Sequence, residues 1–143
     1  MINLKRVYDP ASLSDGVRVL VDRLWPRGLT KDKAKIDEWL RDLAPSDELR
    51  KWYHARPTQW MNFRKRYLVE LRAPEATAAL EQLYALANSR KQITLLYASK
   101  NTERNNATVL KDLLDGMRKP PSTSGPAAAA AAGRARAVRR RPK

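Results

Sequence analysis

The sequence predicts a small α/β domain, a mainly parallel sheet with helices packed on it. Three observations lead there. Val17 to Leu24 opens as a β-branched apolar run with no internal breaker, the pattern of a buried strand. Ile93-Thr94-Leu95-Leu96-Tyr97-Ala98 is a second short apolar run. Between and after these runs, apolar residues recur every three or four positions, as on helix faces. Strands separated by helices require right-handed crossovers and therefore parallel neighbours.

The elements follow in order. Ile2 to Val7 alternates weakly and reads as a first strand, suited to a sheet edge. Asp9-Pro10 through Asp15-Gly16 is rich in turn formers. The strand from Val17 is stopped by Pro26-Arg27-Gly28. Thr30 can cap a short basic stretch, Lys31 to Lys35, and Ile36, Trp39, Leu40 and Leu43 then stand at helical spacing until Pro45. Ser46 is a good N-cap, with Asp47 and Glu48 in the first turn where the helix dipole favours acids. That helix ends near His54. Pro57-Thr58 opens the next, with Trp60, Phe63, Tyr67 and Leu71 on one side and Arg64, Lys65 and Arg66 on the other. Pro74 starts a fourth, carrying Ala79, Leu80, Leu83, Leu86 and Ala87. After the strand at Ile93, Thr102 is placed to cap a last helix with Val109, Leu110, Leu113 and Leu114 inward, and Gly116 fits the C′ position.

Residues 1–116 thus read as one domain. Residues 117–143 read as a basic low-complexity tail of Pro, Ser, Ala and Arg, with six consecutive alanines. Its aliphatic residues beyond Met117 are too few to offset the entropy of ordering, so it is expected to be disordered. The chain carries 29 Lys+Arg and 15 Asp+Glu, a formal charge of +14. Eight of those bases lie in the tail (Arg118, Lys119, Arg134, Arg136, Arg139, Arg140, Arg141 and Lys143), with no acid among them. The body's excess is mild and does not by itself demand a polyanion.

Cysteine is absent, which excludes disulfides, thiolate nucleophiles and thiolate metal sites. His54 is the only histidine, so no multi-histidine metal centre can form. No metal or cofactor motif is present. The N-terminus lacks the apolar core of a signal peptide, and no apolar run is long enough to span a bilayer. The expected compartment is the cytoplasm.

Candidate chemistry gathers at two strand ends. One carries Asp22, Arg23, Trp25 and Arg27; the other carries Ser99, Lys100 and Asn101, followed by Asn105 and Asn106 at the start of the last helix. Ligand sites in open α/β sheets lie at the carboxyl ends of the strands. A helix start there supplies free N–H groups, and arginine grips phosphate or carboxylate in bidentate fashion. Asp22 is the candidate catalytic acid or base. The alternative is an orienting acceptor for Arg23 or Arg27, the role that flanking guanidiniums favour because they lower an acid's pKa. Arg23, Trp25, Arg27, Lys100, Asn101, Asn105 and Asn106 are the candidate ligand-binding residues. Trp25 is followed by a chain breaker at this rim and could stack on a ring; Trp39, Trp52 and Trp60 read as core anchors. The bland alternatives are a structural Asp–Arg pair, a solvated Lys100, a helix-end His54 and a solvated Arg64-Lys65-Arg66 face.

Several segments resemble a known family. They are Lys5-Arg6-Val7-Tyr8-Asp9-Pro10, Val19 to Gly28, Trp39 to Ser46, Leu49 to His54, Phe63 to Tyr67 and Thr94 to Ala98. Together they resemble the YeaO-like branch of the "domain of unknown function 488" family, over about residues 2 to 115. The DRLWPRG stretch, Asp22 to Gly28, is the most specific part. The resemblance implies a small α/β domain in a cytoplasmic bacterial protein, and no particular activity. Relatives in that family often carry Asn-His-Ala entering the last helix, where this chain has Asn105-Asn106-Ala107. Asparagine exchanges no proton near neutrality.

The leading expectation is a domain that binds or acts on an anionic small molecule, such as a nucleotide, at the strand ends. The alternative is a nucleic-acid-associated protein whose basic tail supplies phosphate contacts. A third reading confines polyanion binding to the tail.

Overall fold

The structure is a computed structural model that describes residues 2–89 and 92–117. Of the expected tail, only Met117 falls among them; residues 118–143 lie outside the described residues. Four strands, β1 (Ile2–Arg6), β2 (Val17–Leu20), β3 (Glu38–Trp39) and β4 (Ile93–Tyr97), form one parallel sheet in the order β1-β4-β2-β3. The described helices are α1 (Lys31–Ala34), α2 (Asp47–Ala55), α3 (Trp60–Glu70), α4 (Pro74–Ser89) and α5 (Asn106–Asp115), with 3-10 turns at Leu13–Asp15 and Arg41–Leu43. None of them is long and apolar enough to cross a membrane.

β4 is buried along its whole length because it has strands on both edges and packing on both faces. Alternate residues feed two cores. Ile93, Leu95 and Tyr97 join Ile2, Val19 and Val21 beneath α2 to α5, where Leu49, Phe63, Tyr67, Leu83 and Leu110 meet them. Leu83, Leu95 and Leu110 are fully buried, each worth about 1.5–3 kcal/mol relative to exposure. Among the described residues, no long helix covers the opposite face. Val7, Leu20 and Leu96 are covered there by Trp25, Leu29, Ile36 and Trp39. The two indoles meet edge to face at 5.5 Å. The Trp25 N–H donates to the Leu29 carbonyl (2.7 Å), and that of Trp39 to the Asp22 carbonyl (2.7 Å).

Residues 36–43 depart from the helix their spacing predicts. Ile36 and Trp39 pack on one face of the sheet, whereas Leu40 and Leu43 pack on the other. The segment passes round the sheet edge as β3 and a 3-10 turn, a fourth strand that helical periodicity concealed. The first three strands are also shorter than expected or absent from the prediction, β2 ending at Leu20 rather than Leu24. Pro57-Thr58 forms a turn, and α3 starts at Trp60. Asn105, not Thr102, caps α5: Asn101 Oδ1 accepts the N–H groups of Glu103 and Arg104 (both 2.9 Å), holding that stretch as a turn. Gly116 closes α5 in right-handed conformation, φ −87°.

One buried network stands out on the second face. Arg18 sits mid-strand in β2, only 4% exposed. Its guanidinium bonds Asp15 (2.6 Å) and the carbonyls of Ala34 (2.8 Å) and Lys35 (2.9 Å) that α1 leaves unpaired. Lys5 of β1 reaches the other Asp15 oxygen at 2.8 Å, and buried Thr94 of β4 donates to the Asp15 carbonyl at 2.7 Å. Burial alone would raise the Asp15 pKa; the bonds from Lys5, the Ser12 N–H and Arg18 outweigh it and hold the carboxyl below its ordinary value. Gly16 follows at φ +66°, where a Cβ would stand 2.1 Å from the Gln92 carbonyl oxygen.

Arg18→Met takes one of two cations from a buried carboxylate and leaves two carbonyls without their side-chain donor, so urea denaturation at neutral pH is expected to show a loss of about 3–5 kcal/mol. Because the folded Asp15 pKa is depressed, its contribution is present above the unfolded pKa and lost as pH falls through the folded one. The gap between wild type and variant should therefore narrow in acid.

Candidate functional site

The carboxyl ends of β2 and β4 and the start of α5 meet at Asp22. Its Oδ2 accepts the Ala98 N–H (2.8 Å), and its Oδ1 accepts the Asn106 side-chain amide (3.0 Å). The same amide nitrogen donates to the Val21 carbonyl at 3.0 Å. Asn106 is 9% exposed, and Asn105 beside it is 4% exposed. Asn105 caps α5 through the Thr108 N–H (2.9 Å) and donates to the Asn101 carbonyl (2.8 Å).

No guanidinium hydrogen-bonds Asp22 among the described residues, which corrects the expected pairing with Arg23 or Arg27. Arg23 turns away, donating to the carbonyls of Ala44 (3.2 Å) and Pro45 (3.3 Å) where the chain enters α2. Those carbonyls precede a helix and lack backbone partners, so the guanidinium satisfies them. The expected lowering of the Asp22 pKa is reversed as well. Burial raises it, opposed by the Ala98 and Asn106 bonds and by the charge of Arg50, which the sequence did not single out.

Arg23 instead lines a cleft of about 340 Å³ with Asp42, Ser46, Glu70, Glu75 and Leu71. Glu70 accepts both the N–H (2.7 Å) and hydroxyl (2.6 Å) of Ser46. Behind it, the buried Tyr67 hydroxyl donates to the Leu43 carbonyl. Burial pushes the Tyr67 pKa well up, and the charges of Asp22 and Glu70 push it further.

Arg27 belongs to the other end of the rim. Its carbonyl accepts the Tyr8 hydroxyl at 3.0 Å, and Arg6 lies over the Tyr8 ring at 5.2 Å. Arg6 donates to the carbonyls of Ala98 (3.0 Å) and Ser99 (2.9 Å). The Ala98 residue is thus shared: its N–H serves Asp22 and its C=O serves Arg6. Arg27, Lys100 and Asn101 are exposed, and the side chains of Arg27 and Lys100 have no hydrogen-bond partner among the described residues. Trp25 packs in the second core, held by its N–H bond to Leu29. Arg6, whose alternation within a weak strand gave no sign of a role, is the rim residue the sequence reading missed. Among the described residues no three side chains of metal-ligating type cluster.

Chemically, the rim offers a carboxyl held protonated to higher pH than usual, but with both oxygens committed. A proton transfer through Asp22 would first have to release α5 or β4. With a folded pKa above the unfolded one, Asp22 favours the fold below the unfolded pKa, and that advantage fades as pH rises through the folded value. Asp22→Asn removes the titration and sets two amide donors against each other at Asn106. Urea denaturation across the acid range should show the variant less stable by about 1–3 kcal/mol. That deficit should be largest at the acid end and shrink as pH rises toward neutrality.

Comparison with known proteins places the chain. Escherichia coli K12 "Uncharacterized protein YeaO" is 48% identical over 116 residues, 81% of this chain and 98% of the relative. Mycobacterium tuberculosis "Uncharacterized protein Rv3073c" and Mycobacterium bovis "Uncharacterized protein Mb3100c" are each 41% identical over 115 residues, 80% of this chain and 94% of the relative. No solved structure matches significantly. The family DUF488-N3i, described as the inactive DUF488-N3 subclade, matches residues 1–129, and the chain belongs to it.

Proposed function

We propose that this domain binds an anionic small molecule, such as a nucleotide or another phosphate ester, at the carboxyl rim of its sheet. In this reading it holds the ligand without transforming it. The observation that carries the reading is the sharing of Ala98 between Asp22 and Arg6. In this reading the start of α5 and the segments that bear Arg27 and Lys100 act together as one rim. The α5 start contributes N–H groups and a partial positive charge, and the exposed side chains contribute mobile cations. Asp22 then acts as the latch that keeps the rim assembled. Two facts favour binding over catalysis. Both Asp22 oxygens are engaged inside the fold, and Asn106, which holds one of them, cannot exchange a proton near neutrality. The family's description as an inactive subclade agrees with this.

Titration of the full chain with inorganic phosphate, pyrophosphate and a nucleoside diphosphate, followed by amide chemical shifts, tests the reading. Shifts are expected at Ala98 to Ala107. Arg27→Ala and Lys100→Ala should each weaken binding about tenfold, the loss of one charge-assisted hydrogen bond. Their melting temperatures should stay near wild type, as for exposed positions generally. Binding that ignores both substitutions, or no binding of any of the three anions, would refute it.

A further inference from the structure

We infer that the α2–α3 hairpin is a docking surface for single-stranded nucleic acid, independent of the rim. The hairpin gathers cations that the fold does not neutralise. Arg66 of α3 lies over the Trp52 indole at 4.1 Å, and Arg56, just past α2, lies 5.4 Å from the same ring. Arg64 and Lys65 extend the run along α3. The ion pairs among the described residues involve none of these four side chains. Of the hairpin's acids, Asp47 pairs with Arg50 and Lys51 at the start of α2, Glu70 serves Ser46, and Glu48, one turn before Trp52, forms no ion pair among the described residues.

Two guanidiniums on one indole with no carboxylate paired to them repel each other, and a polyanion relieves that repulsion. The geometry narrows the class. Arg66 is exposed, so the guanidinium face away from Trp52 is open to a flat ring. Unpaired bases stack on such planes while their phosphates meet the neighbouring cations; paired bases present no free face. The sequence adds a second source of positive charge, the eight bases and no acid of residues 118–143. A long strand could therefore engage hairpin and tail together.

The test uses the full chain and fluorescence anisotropy with a short labelled single-stranded oligonucleotide across a salt series. A variant with Arg56, Lys65 and Arg66 all changed to Ala should bind about tenfold more weakly, with the log–log salt slope reduced by about 2. The same loss should persist when Arg139, Arg140 and Arg141 are changed to Ala, which isolates the hairpin from the tail. Arg66→Lys keeps the charge and loses the plane. It should weaken the oligonucleotide and leave inorganic polyphosphate unaffected. Circular dichroism melts confirm that each variant folds. A wild-type slope in the hairpin variant, with all binding lost in the tail variant, overturns the proposal. So does equal binding of polyphosphate and oligonucleotide with no effect of Arg66→Lys, or a preference for anionic lipid vesicles over both.

Discussion

Both oxygens of Asp22 are committed inside the fold, one to the Ala98 N–H and the other to the Asn106 amide. Through them β2, β4 and the start of α5 are fixed to one another at the level where the sheet ends. The constraint propagates in both directions. The Ala98 carbonyl receives Arg6, which orients the β1 end and the Tyr8–Arg27 contact beyond it. The Asp22 carbonyl receives the Trp39 N–H, which fixes the short edge strand and the indole pair covering the second face. A side chain that looks like a catalytic candidate thus carries much of the architecture of its own rim. The same atoms cannot easily be released for chemistry while they perform that task.

Buried Asp15 and half-buried Asp22 illustrate how surroundings decide the sign of a pKa shift. Asp15 is nearly inaccessible, yet two cations and a backbone N–H more than offset the cost of burying its charge. Asp22 receives only neutral donors, and Arg50 acts on it from a distance, so desolvation prevails. One group favours the fold where it is ionised and the other where it is protonated. The Asp15 network therefore belongs with structural bridges that stay ionised to lower pH than an ordinary carboxyl, and Asp22 with groups whose proton is worth following.

Much of the architecture could be read in the chain because local signals agreed with the global solution. The run at Ile93 has nothing to do but be buried, and Ser46 caps α2 as its chemistry requires, through the Leu49 N–H. The failures have a common cause, namely that spacing says which residues are apolar but not which core they enter. Ile36, Trp39, Leu40 and Leu43 fit a helix face, yet they divide between two sides of the sheet. Arg18 lay inside an apolar run and gave no sign of a partner, because Asp15 is a turn residue and Ala34 and Lys35 contribute only backbone carbonyls. At the rim, the polar character of both strand ends was legible, and Asp22 and Asn106 do meet. The parting of Arg23 from Arg27 was not, since it depends on carbonyls left unpaired at Ala44 and Pro45.

Asn106 shows why the latch takes an amide. Its Nδ2 carries two hydrogens, and both are engaged: one on the Val21 carbonyl and one on the Asp22 carboxylate, each at 3.0 Å. A neutral imidazole at this position would bring a single N–H, enough for one of the two acceptors and not for both. A protonated imidazole would bring two, but on nitrogens at separate corners of the ring rather than on one atom. The amide therefore closes the end of β2 and anchors α5 with one group, and it does so without a charge of its own. The Asp22 carboxyl is thus closed in by neutral donors alone, the Ala98 N–H and the Asn106 amide.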